Sequence, residues 1–222
     1  MHIPDGLMLP ALLGAGWVIA VVVLAVAVRK TRQLLPDDKI PTMAVLAAGI
    51  FVSQMLNFPI AGGTSGHLIG ATIATLLVGP WAAVLVMSIV IIIQGLMFGD
   101  GGILSLGLNL TNMAIIGVLV SASVLKGMGK IRLRREVPVF SAAWLAVFIA
   151  AFACALELAI SYAASGGAYG IIWTISLPAM LASHALIGIG EAIISVAVIS
   201  YLSHIAPTMI YSFAPDKEVA AQ

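Results

Sequence analysis

Long apolar runs separated by short polar breaks make up nearly the whole chain. A helix needs about 20 apolar residues to cross a bilayer core. On that measure the pattern predicts seven spans, over residues 9–28, 41–57, 68–79, 81–98, 103–125, 139–164 and 171–202. The third run is short for a crossing, and only Gly79-Pro80 separates it from the fourth. The pair reads as a tight helical hairpin. A single re-entrant segment there would leave six crossings or fewer. No internal repeat interrupts the pattern. Small residues such as Ala150, Ala151, Ala153 and Ala155 recur along the spans, as close helix packing in lipid requires.

Composition turns these runs into a class. The 222 residues are 62% hydrophobic and 9% charged, against about 45–50% and about 25% in soluble domains. The expectation is an all-α integral membrane protein, with residues 1–222 forming one membrane domain. The net charge of +1 offers no basic patch for nucleic acid. Lys and Arg favour cytoplasmic loops. Arg29, Lys30, Arg32 and Lys39 flank the first connection, Lys126, Lys130, Arg132, Arg134 and Arg135 fill the fifth, and Lys217 lies in the tail. Seven spans place all ten on one side. The N-terminus is then outside and the C-terminus cytoplasmic. The first 28 residues carry no Lys or Arg, so the start does not read as a signal peptide. Cys154 is the single cysteine and lies in an apolar run, as a small core hydrophobe would.

Candidate chemistry concentrates on the outer side. His2 is the second residue of the chain, and initiator Met1 is expected to persist because His2 is bulky. A free α-amine, the His2 backbone nitrogen and its Nδ1 can chelate one ion through a five- and a six-membered ring. That leaves a fourth corner of a plane open, and His67 can fill it. Four nitrogens in a square plane suit Ni(II) or Cu(II), whereas zinc prefers a tetrahedron and calcium prefers oxygen. The plainer reading of His2 is a solvated tail. Against it, Ile3-Pro4-Asp5-Gly6 has turn chemistry, and residues 7–9 lead into the first span without a linker. The metal-binding segment is thus residues 1–8, and its partner is the loop 58–67. Nitrogen ligation also predicts an affinity that falls below about pH 6, near the free histidine value.

Polar residues near the outer ends of the spans are candidates to support such a site: Asp5, Asn57, Ser65 and Gln94. Asn109 and Asn112 either hold the terminal segment or bridge helices. Asp5 and Asp100 are the only outer acids, and attract a cation or cap loops. His184 and Glu191, seven residues apart, share one face of the last span, and Glu157 lies in the sixth. Ionisable groups inside a membrane are functional candidates, with helix pairing as the bland alternative. His204 reads as a boundary residue. Gly127-Met128-Gly129-Lys130 lacks the spacing of a nucleotide-binding P-loop. A rival of another class is a rhomboid-like intramembrane serine protease, with Ser65 of Gly63-Thr64-Ser65-Gly66 as nucleophile and His184 as base.

Met1-His2-Ile3-Pro4-Asp5-Gly6, together with Gly-Gly-Thr-Ser-Gly-His at 62–67, resembles the NikM/CbiM family. These are substrate-binding S components of energy-coupling factor transporters for nickel or cobalt. The likeness extends over essentially the whole chain, and the Pro4-Asp5 form looks like the nickel branch. The resemblance implies seven helices with an inserted N-terminus, and ligands at Met1, His2 and His67. It implies Ni(II) as transported substrate, with Co(II) for cobalamin synthesis as the alternative. It also implies a T-type scaffold membrane subunit, cytoplasmic ATPase subunits that supply the ATP, and a small accessory membrane subunit. The setting would be a prokaryotic plasma membrane, and the chain itself no enzyme.

Overall fold

The computed structural model describes residues 1–61, 63–129, 131, 133–211 and 213, without the side chain of Asp37. Gly62, Lys130, Arg132 and Lys217 lie outside the described residues. The chain is mostly helical. Helix α1 spans Pro10–Leu34, with proline at a position where its missing N–H costs nothing. Helix α2, Ile40–Gln54, leads into a small antiparallel hairpin of β1, Phe58–Ile60, and β2, Thr64–Gly66. Helix α3 covers Ala71–Val78 and α4 covers Pro80–Phe98. Then come α5, Leu106–Met128, α6, Glu136–Ala164, and α7, Trp173–Ile205.

Five of these helices (α1, α4, α5, α6 and α7) are long and apolar enough to cross a membrane. The run at 68–79 contracts to the eight residues of α3. Pro80 cannot continue it, and restarts the chain as α4 in the first helical turn. The run at 41–57 yields only the 15 residues of α2, because its last residues approach the hairpin. The run at 103–125 becomes α5 with a π-helical stretch, Leu110–Ile116, at its centre. Such stretches often accompany functional sites. The last turn of α4, Gln94–Phe98, is also π-helical.

Burial separates the centre of the bundle from its lipid-facing shell. Helix α5 buries Leu106 to Ile115 without a break. Helix α1 buries only Gly16, Ala20 and Ala27, and turns valines such as Val18, Val21 and Val22 outward. The two helices meet where Gly16 and Gly107 let their backbones approach. A Cβ on Gly107 would lie 2.5 Å from the Trp17 backbone nitrogen. Helices α6 and α7 run antiparallel, tied by Trp144 Nε1 to the Ala185 carbonyl at 3.1 Å and Ser176 Oγ to the Ala155 carbonyl at 3.2 Å. Leu76, Lys126, Arg135, Ile199 and Tyr211 line one cleft, so the ends of α3, α5 and α7 and the start of α6 share one end of the bundle. The first eight residues, the β-hairpin and the loops 99–105 and 165–172 gather at the other.

Candidate metal centre

The first three residues are buried as completely as any in the core: Met1 and Ile3 are 0% exposed and His2 is 3% exposed. Hydrophobicity alone does not put a chain end there, because its amine and amides need partners. The partners are specific. The Asn109 side chain, from the centre of α5, grips the Ile3 peptide unit on both sides: its Oδ1 accepts the Ile3 N–H at 2.8 Å and its Nδ2 donates to the Ile3 carbonyl at 3.2 Å. Gly102 N–H donates to the same carbonyl at 2.9 Å. The Asp5 carboxylate accepts the Ile103 and Ser105 amides at 3.0 and 3.1 Å. Downstream, Leu7 accepts from Gly170 N–H, and Leu9 N–H donates to Ser161 Oγ at 2.8 Å.

These ties deliver the amine to β2. Met1 N donates to the Ser65 carbonyl and to Ser65 Oγ, the latter at 3.1 Å, and the His2 N–H donates to the same hydroxyl at 3.0 Å. Ser65 therefore serves the terminal segment. Its Oγ makes no hydrogen bond to His184, whose Nδ1 pairs with the Met180 carbonyl of its own helix at 2.8 Å. The Ser–His pair that a protease needs is not assembled.

The imidazoles of His2 and His67 face each other with ring centroids 4.8 Å apart and planes 30° from parallel. His67 Nδ1 lies 2.7 Å from the Leu68 carbonyl and so carries the proton, leaving Nε2 with a bare lone pair. His67 Nε2 and both ring nitrogens of His2 are buried with no hydrogen-bond partner among the described residues. Unsatisfied buried polar atoms are rare and call for an explanation. Here three of them belong to the two facing rings. His2 Nε2 lies 3.6 Å from Asp100 Oδ2, and the Asn57 amide holds that carboxylate at 3.1 and 3.2 Å.

Burial also sets the protonation. Desolvation pulls the Met1 amine down to about 5, with Cys154 and Asp100 opposing it. Burial takes His2 down to about 3, with the amine adding to the shift. His67 falls well below the ordinary histidine range through burial, then the amine, then His2. All three groups are neutral at pH 7, each with a nitrogen lone pair. Asp100, half-buried, is raised by desolvation. Among the described residues no cluster of three His, Cys, Asp or Glu side chains forms a conventional metal site. What this corner brings together instead is nitrogens of the chain's first two residues and of one loop histidine.

Of the supporting residues named from sequence, Ser65 touches the terminal segment directly, Asp5 ties that segment to the loop at Ile103 and Ser105, and Asn57 reaches it through Asp100. Gln94 is fully buried, with no side-chain partner among the described residues. Asn109 holds the terminal segment, whereas Asn112 bridges helices by donating to Glu157 at 2.7 Å. Cys154 Sγ sits 3.9 Å from the Met1 carbonyl, under the site. Asp100 beside His2 and Asn109 around Ile3 are roles that the sequence left open. The signal was present, since both residues interrupt otherwise apolar or glycine-rich stretches.

Known proteins match along the whole fold. A candidate metal transport protein of Haloquadratum walsbyi is 41% identical over 216 residues, 96% of this chain and 94% of the relative. A candidate fused nickel transport protein of Archaeoglobus fulgidus is 37% identical over 221 residues, 99% of this chain and 71% of the relative. The crystal structure of a truncated transition metal transporter superposes with a TM-score of 0.87 at 36% identity, over 92% of this chain and 99% of that one. The family described as "cobalt uptake substrate-specific transmembrane region" matches residues 2–209. A multi-pass membrane protein with these relatives, this chain belongs to the CbiM family.

Proposed function

We propose that the chain is the S component of an energy-coupling factor transporter and captures Ni(II) from the outer face of a prokaryotic plasma membrane. The observation that carries this reading is the convergence of the buried Met1 amine, the His2 ring and the His67 ring, with His2 Nδ1 and His67 Nε2 unpartnered. The Met1 amine and His2 backbone nitrogen close a five-membered ring on the ion. The same nitrogen and Nδ1 close a six-membered ring, and His67 Nε2 takes the fourth corner. The His2 amide gives up its proton to bind, which demands a strongly Lewis-acidic ion, and four in-plane nitrogens suit the geometry of Ni(II). With Nδ1 on the metal, the ring proton sits on His2 Nε2, 3.6 Å from Asp100 Oδ2, within ion-pair reach of that carboxylate. Co(II) is the second reading, in keeping with the family's description as a cobalt uptake region.

In this reading α2 and the short α3 join the five long helices as the remaining two of seven crossings. The start is outside and the C-terminus cytoplasmic, because Lys126 and Arg135 line the cleft at the end of the bundle away from the metal corner. The chain works without an ATPase of its own. A T-type scaffold subunit, cytoplasmic ATPases and a small accessory membrane subunit supply the energy and the release step. The experiment compares Ni(II) titrations of protein beginning at Met1 with protein carrying one extra residue before it. The native start is expected to bind one Ni(II). The extension turns the amine into an amide and fills buried space, and is expected to abolish tight binding with the fold intact. Equal affinity in both sinks the assignment. Uptake of labelled nickel against cobalt by cells co-expressing the partner subunits decides the ion.

A further inference from the structure

Glu191 is fully buried in α7, yet no role in the metal corner accounts for it. Its carboxylate reaches across to the turn that follows His67. One oxygen accepts the Ile69 N–H and the other accepts the Gly70 N–H at 2.8 Å. From the other side the Gln54 Nε2, near the end of α2, donates to the Ile69 carbonyl at 2.6 Å. The peptide units on either side of Ile69 are therefore fixed from two helices. His67 sits two residues upstream, and its Nδ1 is tied to the Leu68 carbonyl inside the same turn. That bond sets the tautomer that bares Nε2. Moving the 68–70 backbone thus moves the donor.

A buried carboxylate is an expensive way to satisfy two amides, since desolvating a charge costs more than its hydrogen bonds usually return. A neutral acceptor meets the same hydrogen-bond demand for one amide without placing an acid in the membrane. We infer that Glu191 is a positioning residue for His67: it holds the 67–70 turn so that His67 Nε2 faces the amine and His2. It also makes α7, which runs the length of the bundle, the element to which that ligand is fastened. This role rests on the ligand reading proposed above.

The test is a double-mutant cycle read by Ni(II) titration and by the visible absorption of the bound ion. His67→Ala alone reports whether His67 is a ligand. Glu191→Gln keeps the size but offers one acceptor and one N–H where two acceptors are needed. Losing an outer partner of a metal ligand typically weakens binding about 10–100-fold. The expectation is a loss in that range for Glu191→Gln, with an altered Ni(II) spectrum, and no further loss when Glu191→Gln is added to His67→Ala. A folded Glu191→Gln protein with wild-type affinity and spectrum overturns the role. So does an additive loss, which would mean that Glu191 acts independently of His67. If Glu191→Gln does not fold, Glu191→Asp, one methylene shorter, goes through the same cycle, and wild-type affinity there also overturns it. Wild-type protein that binds no Ni(II), or a His67→Ala variant that binds normally, overturns the ligand reading itself and this role with it.

Discussion

At the scale of single residues, the site depends on what is absent as much as on what is present. Gly101 has φ +92°, a conformation closed to most side chains, and it packs against His2. A Cβ there would lie 3.0 Å from His2 Nδ1 and 2.8 Å from Asn109 Nδ2. One methyl group would therefore strain the backbone, press on the donor atom and push the amide that holds Ile3. Gly101→Ala is expected to weaken Ni(II) binding by about 100-fold or more, corresponding to about 3 kcal/mol of combined strain and displacement. Titration of the purified variant measures this, and the α-helical circular dichroism should stay unchanged. The pairing of the terminal segment with the His67 loop was legible in the sequence, because position two and a glycine-flanked histidine carry distinctive chemistry. Gly101 was not, because what a glycine makes room for depends on which segments of the fold meet there.

At the scale of elements, the terminal segment is an irregular stretch whose middle is held on both sides by one side chain, that of Asn109. The Ile3 N–H has the Asn109 Oδ1 as its partner, while the Ile3 carbonyl also receives Gly102. Asn109→Leu would leave that buried N–H unsatisfied at a cost of about 1–3 kcal/mol, or about 5- to 150-fold in the population of the inserted state. The expected outcome is faster amide hydrogen exchange across residues 2–8 and a parallel fall in Ni(II) affinity, with exchange in α6 and α7 unchanged. Slow exchange in the variant would mean that packing of Met1 and Ile3 and the segment's other hydrogen bonds anchor it without Asn109. Apolar runs predicted the long helices, because exclusion from water is written in composition. They overestimated α3 and α2, because the same composition marks a residue buried in protein and one facing lipid. The β-hairpin 58–66 was read as a loop. Its strands have only three residues each, too few for an alternating pattern to show.

At the scale of the whole molecule, burial of the N-terminus changes the proton chemistry of capture. In a solvent-exposed terminus of this kind, an ion must displace an amine proton below about pH 8 and an imidazole proton below about pH 6.5, as well as the amide proton. Here the amine is held down at about 5 and His2 at about 3. Both are lowered values, so the neutral, ligand-ready forms persist until the pH falls through those lower points. Between pH 6 and 8 the only proton left to displace is that of the His2 amide. The apparent log affinity for Ni(II) is expected to rise by about one per pH unit across that window, and to steepen toward about two below about pH 5 as the amine begins to compete. The imidazole-proton competition expected near pH 6 from free histidine thus moves to more acid conditions, because the core and not the solvent sets these basicities. Titrations at several pH values in a non-coordinating buffer give the slope directly. A slope near two between pH 6 and 8 would place the amine in water, and would remove the physical basis for an inserted terminus in the membrane-embedded protein.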